Sequence, residues 1–137
     1  MTKRVLVDTG PLVALYRKTD QFHAAAVAQF GDLSPPLLTC WPVIVEAAYL
    51  LRDDPKAVSQ LLESFGIGLL RLLSIEQEEF DELRNILQQY RSLGAQLADV
   101  ALVYLAQREK IEVVFTFDRR DFSVYRPGGK RSFTIVP

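Results

Sequence analysis

Apolar residues along this chain come in short runs separated by turn-forming residues, and runs of strand length alternate with runs of helical period. Arg4–Asp8 is a brief apolar run that closes on an acid, the pattern of a buried strand. Pro11 suits the first turn of a helix, where its fixed φ is favourable and its missing N–H costs nothing, and Leu12 to Tyr16 continue that helix. Asp20 is positioned to cap a second helix reaching Phe30, with Gly31 ending it. After the Ser34-Pro35-Pro36 turn, Leu37–Cys40 reads as a second strand, and Pro42 opens a helix through Leu51. Asp54-Pro55 opens another, to Phe65, before the break at Gly66 and Gly68.

Leu69–Leu73 reads as a third strand. Ser74 and Gln77 have capping-box spacing ahead of a charged amphipathic helix that runs to Arg91. Past the Leu93-Gly94 break, Leu97, Val100, Ala101, Tyr104 and Leu105 keep the i, i+3, i+4 spacing of a helix over Gln96–Lys110. Val113–Phe117 is a strand leading to Asp118, a basic loop follows, and Phe133–Val136 is a last short strand. This alternation predicts an α/β fold, a three-layer α/β/α sandwich on a short, mostly parallel central sheet, with residues 1–137 forming one domain.

Composition narrows the function classes. Apolar residues make up 49% and charged residues 24% of the chain, enough for a real core. The net charge of -1 supplies no global basic field, so any nucleic-acid contact must be local. One cysteine, Cys40, forbids an internal disulfide and fits a reducing cytoplasm; in LLTCWP it reads as a small buried side chain. No secretory leader is expected, because Asp8 interrupts the apolar start. No membrane contact is expected either: the longest stretch with a single charge, Leu33 to Leu51, holds three prolines and Glu46.

Four acids stand apart from the rest. Asp8 is the only charge from Val5 to Tyr16, Glu46 the only one from Leu33 to Leu51, and Asp99 the only one from Leu93 to Ala106. Asp118 ends IEVVFTFD, whose only other charge is Glu112. An ionised carboxylate buried alone is costly, so such a group is paired, protonated or bound to a metal. Each acid also has an ordinary reading: Asp8 as a helix cap, Glu46 as the partner of an arginine, Asp99 as a first-turn acid and Asp118 as a turn residue. Their coincidence favours a shared site, since the carboxyl ends of parallel strands and the starts of the following helices lie at one edge. All-oxygen ligation favours Mg2+ or Mn2+ over zinc, and the single histidine, His23, reads as a helix-surface residue.

The triplet Asp8-Thr9-Gly10 also occurs in aspartic proteases, but those are all-β, and Pro11 turns this chain into a helix. A phosphatase using Asp8 as nucleophile ordinarily has a second aspartate two residues on, where this chain has Gly10.

The order VLVDTGPLVAL, TCWPVIVEAAYLL, LADVALVYLAQ and VVFTFDRRDFSVYRP resembles the PIN-domain ribonucleases, most closely the VapC-like toxins of bacterial toxin–antitoxin pairs, over nearly the whole chain. The resemblance implies a PIN-like α/β/α sandwich and metal-dependent endoribonuclease activity. Its acidic set falls on Asp8, Glu46, Asp99 and Asp118, with Asp8, Asp99 and Asp118 nearest Mg2+ or Mn2+ and Glu46 orienting water or binding a second ion. Thr9 and Thr116 match assisting hydroxyls, and Asp121 an outer acid. Where relatives often carry an acid three residues before the third aspartate, this chain has Gln96. The resemblance further implies an RNA substrate, a homodimer and a small antitoxin partner. A solitary RNA-processing nuclease and a non-catalytic PIN-like binding module are the alternatives. For gripping RNA, Arg119 to Arg131 offers five basic residues, Arg119, Arg120, Arg126, Lys130 and Arg131, against one acid, with Phe122 and Tyr125 interleaved for stacking a base.

Overall fold

The sheet is built outward from Val5–Val7. In the computed structural model, which describes residues 3–137, strands β1 (Val5–Val7), β2 (Leu37–Thr39), β3 (Leu70–Leu72), β4 (Val113–Phe115) and β5 (Thr134–Val136) form a sheet in the order β3-β2-β1-β4-β5. Every neighbouring pair is parallel, with Leu6 opposite Leu38 on one side and Val114 on the other. All three residues of β1, β2 and β4 are buried. Successive residues of a strand face opposite sides, so both faces of the sheet are covered. That explains why these strands read as unbroken apolar runs without alternation.

Between the strands run helices α1 (Thr9–Tyr16), α2 (His23–Asp32), α3 (Trp41–Leu50), α4 (Pro55–Gly66), α5 (Phe80–Gln89), α6 (Leu97–Glu109) and α7 (Arg119–Phe122). Helix α1 packs on α2 and α3, while α6 packs on α3 and α5. One apolar cluster joins them to the sheet, from Val5 to Phe133, with Leu6, Leu12, Leu102 and Phe115 fully enclosed. Eight of the nine residues from Ala98 to Ala106 in α6, all but Asp99, are buried, which makes it the innermost helix. The parallel sheet thus agrees with the expected fold, and is parallel throughout.

Local chemistry explains most boundaries. Asp54 caps α4, accepting the Ala57 N–H at 3.3 Å, and Pro55 follows in the first turn. Gly94 takes the left-handed conformation (φ 69°) between α5 and α6, as the Leu93-Gly94 break requires. Three expectations shift. Asp20 does not cap a helix: its carboxylate accepts the Phe22 N–H at 2.8 Å in a tight turn, α2 begins at His23, and Gly31 lies inside it. The capping box is Glu76 with Glu79, not Ser74 with Gln77. And β4 stops at Phe115, because the Asp118 N–H turns back to the Thr116 hydroxyl at 3.0 Å; the chain then winds into α7 where a basic loop was expected.

This strand order leaves one switch point. From β1 the sheet grows through β2 to β3 in one direction and through β4 to β5 in the other, so a crevice opens between the carboxyl ends of β1 and β4. Asp8 follows β1 directly, and Asp118 lies three residues beyond β4.

Candidate active site

Four segments meet at that crevice. The residues Asp8, Glu46, Asp99 and Asp118 line one cleft of about 530 Å³, together with Asp20 and Asp121. Six carboxylates thus border the space, and among the described residues no lysine, arginine or histidine lines it. Asp8 comes from the end of β1, Glu46 from the second turn of α3, Asp99 from the first turn of α6, and Asp118 from the loop after β4. Helix α6 runs back toward the start of β4, so its first turn sits at the carboxyl edge, where the family resemblance put Asp99.

The ordinary readings of these acids can be checked one at a time. Asp8 occupies the cap position of α1 but makes no side-chain cap bond. Among the described residues, none of the four acids is in an ion pair. Asp99 does sit in a helix's first turn, but its carboxylate is engaged by Tyr125. Asp118 does take its ordinary role, accepting the Asp121 N–H at 3.1 Å and so capping α7.

Two hydroxyls orient the acids. Thr116 is fully buried at the end of β4. Its Oγ1 accepts the Asp118 N–H at 3.0 Å, so its own proton goes to Asp8 Oδ2, 2.8 Å away. One side chain thereby ties the ends of the two adjacent strands. Tyr125, also fully buried, donates to Asp99 Oδ2 at 3.2 Å. Its ring is wedged edge-on against Tyr90 (4.9 Å) and Phe122 (5.0 Å), leaving the phenol little freedom. Thr9 is different: its buried Oγ1 makes no hydrogen bond, although it lies close enough to Glu46 to ease that acid's charge.

The electrostatics follow from burial. Asp8 is pushed up from 3.8 to about 7, first by loss of water, then by the charges of Asp99 and Glu46; the Thr9 backbone and the Thr116 hydroxyl pull it partway back. Glu46 is raised by burial and by Asp99. Asp99 is raised by burial, and further by Asp118 and Asp121, against the lowering effect of Tyr125. Asp121 is raised by burial and by Asp118. Asp8, Glu46 and Asp99 therefore feel their acidic neighbours with no positive charge to answer them, while Asp121, at the edge, is eased by Arg120.

Among the described residues, no three Asp, Glu, His or Cys side chains are already drawn up as a finished metal cage. The donor set nonetheless fits a hard divalent cation: every donor is an oxygen, the charges are uncompensated, and the buried Thr9 hydroxyl beside them lacks a partner. Cys40 is no part of this. It is buried at the start of α3, and burial pushes its thiol up to about 12. His23 is half-buried, with Nδ1 2.7 Å from the Ala14 carbonyl, where a surface position was expected.

The basic segment is only partly at the site. Arg119 and Arg120 are exposed and follow Asp118 directly at the rim. Arg126 spends its guanidinium on the carbonyls of Ser123 and Tyr125. Lys130 is exposed just beyond a turn at Pro127–Gly129. Arg131 pairs with Glu112, the residue before β4, and so stands at the opposite end of the sheet from the acids. Phe122 and Tyr125 are fully buried and cannot stack a base. Instead the cleft wall carries Phe22 and Phe117, which reading the chain in sequence did not single out. Tyr125 gains a structural task in place of the expected one.

Comparison with known proteins bears on the family and the fold. The PIN domain family profile matches residues 5–126. A Mycobacterium tuberculosis protein named Ribonuclease VapC26 is 32% identical over 136 residues, covering 97% of this chain and 100% of its own. The crystal structure of M. tuberculosis VapC20, titled a Sarcin-Ricin loop cleaving toxin, superposes with a TM-score of 0.79 over 90% of this chain and 97% of that one, at 15% identity. The last of these is a likeness of fold.

The raised Asp8 gives a stability prediction with a definite sign. Between pH 3.8 and about 7 the folded protein holds a proton on Asp8 that the unfolded chain has already released, so stability falls as pH rises through that window. Above it the full cost of the buried charge remains, roughly 4 kcal/mol for a shift of this size. In EDTA at pH 8, Asp8→Asn is therefore expected to melt at a higher temperature than the parent, with the difference shrinking toward pH 4. A variant that melts lower than the parent at pH 8 would contradict the buried, unanswered charge.

Proposed function

The chain belongs to the PIN-domain family, and from that premise we propose that it is a metal-dependent endoribonuclease acting as the toxin of a toxin–antitoxin pair. The observation that carries this reading is the set of four acids, from four separate segments, lining one cleft without a cationic partner. An RNA phosphodiester is an anion, and bare carboxylates repel it. A divalent ion, Mg2+ or Mn2+, would supply the charge inversion and Lewis acidity that phosphodiester hydrolysis needs there.

Asp8, Asp99 and Asp118 are the residues we assign to hold that ion, with Glu46 beside them. Thr116 holds one Asp8 oxygen and Tyr125 one Asp99 oxygen, which fixes the two carboxylates where they border the cleft. Glu46, half-buried and with a raised pKa, suits the acceptance of a proton from the attacking water. Water adds to phosphorus, the bond to the 3′ oxygen breaks, and the products carry a 5′-phosphate and a 3′-hydroxyl. The Asp121 backbone N–H donates to the Asp118 carboxylate and so fixes its position at the start of α7, with the Asp121 side chain as an outer acid of the cleft. Arg119 and Arg120 are the rim cations suited to the RNA backbone; Lys130 is exposed farther along the chain, whereas Arg126 and Arg131 are already engaged within the protein.

We assign two protein partners. An exposed apolar stripe on α3, Trp41 (58% exposed), Val45 (51%) and Tyr49 (61%), repeats every four residues beside Leu97 (60%) at the start of α6, which supports a homodimer through this face. A small antitoxin would lay a flexible segment over the cleft, a cheap interaction to regulate. The whole chain acts as one nuclease unit in the cytoplasm; among the described residues no helix is long and apolar enough to cross a membrane.

The decisive assay uses purified chain, cellular RNA and Mn2+ or Mg2+. The parent is expected to give discrete fragments, with cleavage lost in EDTA and reduced at least a hundredfold, on the order of an essential group's contribution, in Asp8→Asn. Cleavage that persists in Asp8→Asn would contradict the site. Cleavage without growth arrest on expression, or arrest that no co-expressed antitoxin relieves, would point instead to a solitary RNA-processing enzyme. For the dimer, light scattering is expected to report twice the chain mass for the parent and the single mass for Val45→Asp; a monomeric parent would overturn that interface.

A further inference from the structure

We propose that Phe22 and Phe117 form a stacking platform for one unpaired nucleobase of the substrate, immediately beside the acids that act on its phosphate. This rests on the ribonuclease reading and adds a subsite to it. The two rings lie face to face, with centroids 4.6 Å apart and planes 14° from parallel. Both line the acidic cleft, and Phe117 is the residue before Asp118. Phe117 is braced from beneath, meeting the fully buried Phe115 edge-on at 5.8 Å. Phe22 rides on top and remains 41% exposed.

Its backbone is equally constrained. The Phe22 N–H is held by the Asp20 carboxylate at 2.8 Å, and its carbonyl accepts the Ala26 N–H at 2.8 Å as α2 begins. A single exposed phenylalanine on a protein surface means little. Here the ring is presented at the mouth of a reactive cleft, already stacked and already ordered, so a ligand meets it without a further loss of rotamer freedom.

The acids decide what kind of group fits. A cleft bordered by six carboxylates repels the anionic parts of RNA except where a cation answers them. A nucleobase is uncharged at neutral pH and offers a π-face, so the aromatic wall can contribute affinity that the acids cannot. Stacking on aromatic side chains is tolerant of base identity, because every base has a π-face. It also demands that the base be out of its helix, which selects loops and single strands over duplex. The bases expected to stack elsewhere, on Phe122 and Tyr125, have no access to those buried rings.

Two measurements test the platform. The first is solution NMR of the Phe22 ring in the full chain with Mg2+, using adenosine 5′-monophosphate and ribose 5-phosphate as probes. The nucleotide is expected to move the Phe22 ring protons upfield, and the sugar phosphate to leave them in place. Equal shifts with both probes, or none with either, would overturn the platform. This readout does not depend on cleavage, so a ring shift in a protein that cuts no RNA would sustain the platform and sink the nuclease reading. The second takes an oligonucleotide that the parent cleaves and removes one base at a time around the scissile bond. One abasic position is expected to lower kcat/KM about tenfold, the scale of one stacked base. Phe22→Leu should lose the same factor on the intact oligonucleotide and be indifferent to that abasic position, while Phe22→Trp keeps parental behaviour. Parental kcat/KM in Phe22→Leu would overturn the platform.

Discussion

Asp8 carries a carboxylate at the end of the innermost strand, where water scarcely reaches it and no arginine or lysine answers it. That is the constraint on which the rest of the structure turns. A charge so placed costs the fold free energy, and burial is the largest cause that moves its titration up to about 7. Most buried acids escape this by pairing. This one faces Asp99 and Glu46 instead, which make its position worse. A divalent cation, as proposed above, would resolve the conflict by giving these acids a common partner. The site is thus a region where stability is given up locally, and the surrounding core of β1, β4 and α6 is what holds it in place.

The supporting hydroxyls show how that region is kept ordered. Thr116 ties Asp118's backbone to Asp8's carboxylate, so the ends of β1 and β4 cannot drift apart without breaking a buried bond. Tyr125 does the same for Asp99 from the far side, anchored in an aromatic cluster with Tyr90 and Phe122. The aromatic residues of the segment after Asp118 therefore face inward, and the arginines outward. The acids of the cleft are held by a second layer of side chains behind them.

Much of this was legible in the chain, for definite reasons. Buried parallel strands have no solvent face, so Val5–Val7, Leu37–Thr39 and Val113–Phe115 stand out as plain apolar runs. The four acids stand out against them because a lone charge in such a run needs a purpose. Other features were hidden by the limits of local pattern. Asp20 looks like a helix cap, and only the turn geometry reveals that it holds Phe22. Phe122 and Tyr125 sit among arginines, and their burial depends on where α6 and Tyr90 lie. Arg131 is close to Asp118 in sequence, yet the chain crosses the sheet's length between them and delivers it to Glu112. Phe22 and Phe117 are far apart in the chain and meet only because α2 folds back beside β4. Contacts of that kind are set by topology, and no spacing rule reports them.

The central claim is that these acids act as one cation site, and anomalous scattering from Mn2+ tests it most directly. A crystal of the chain soaked in Mn2+ and measured at the manganese edge should show its strongest anomalous peak within the cleft, in contact with Asp8 and at least one of Asp99 and Asp118, and Asp8→Asn crystals should lose it. Strong peaks confined to surface acids elsewhere, with the cleft empty in the parent, would contradict the account.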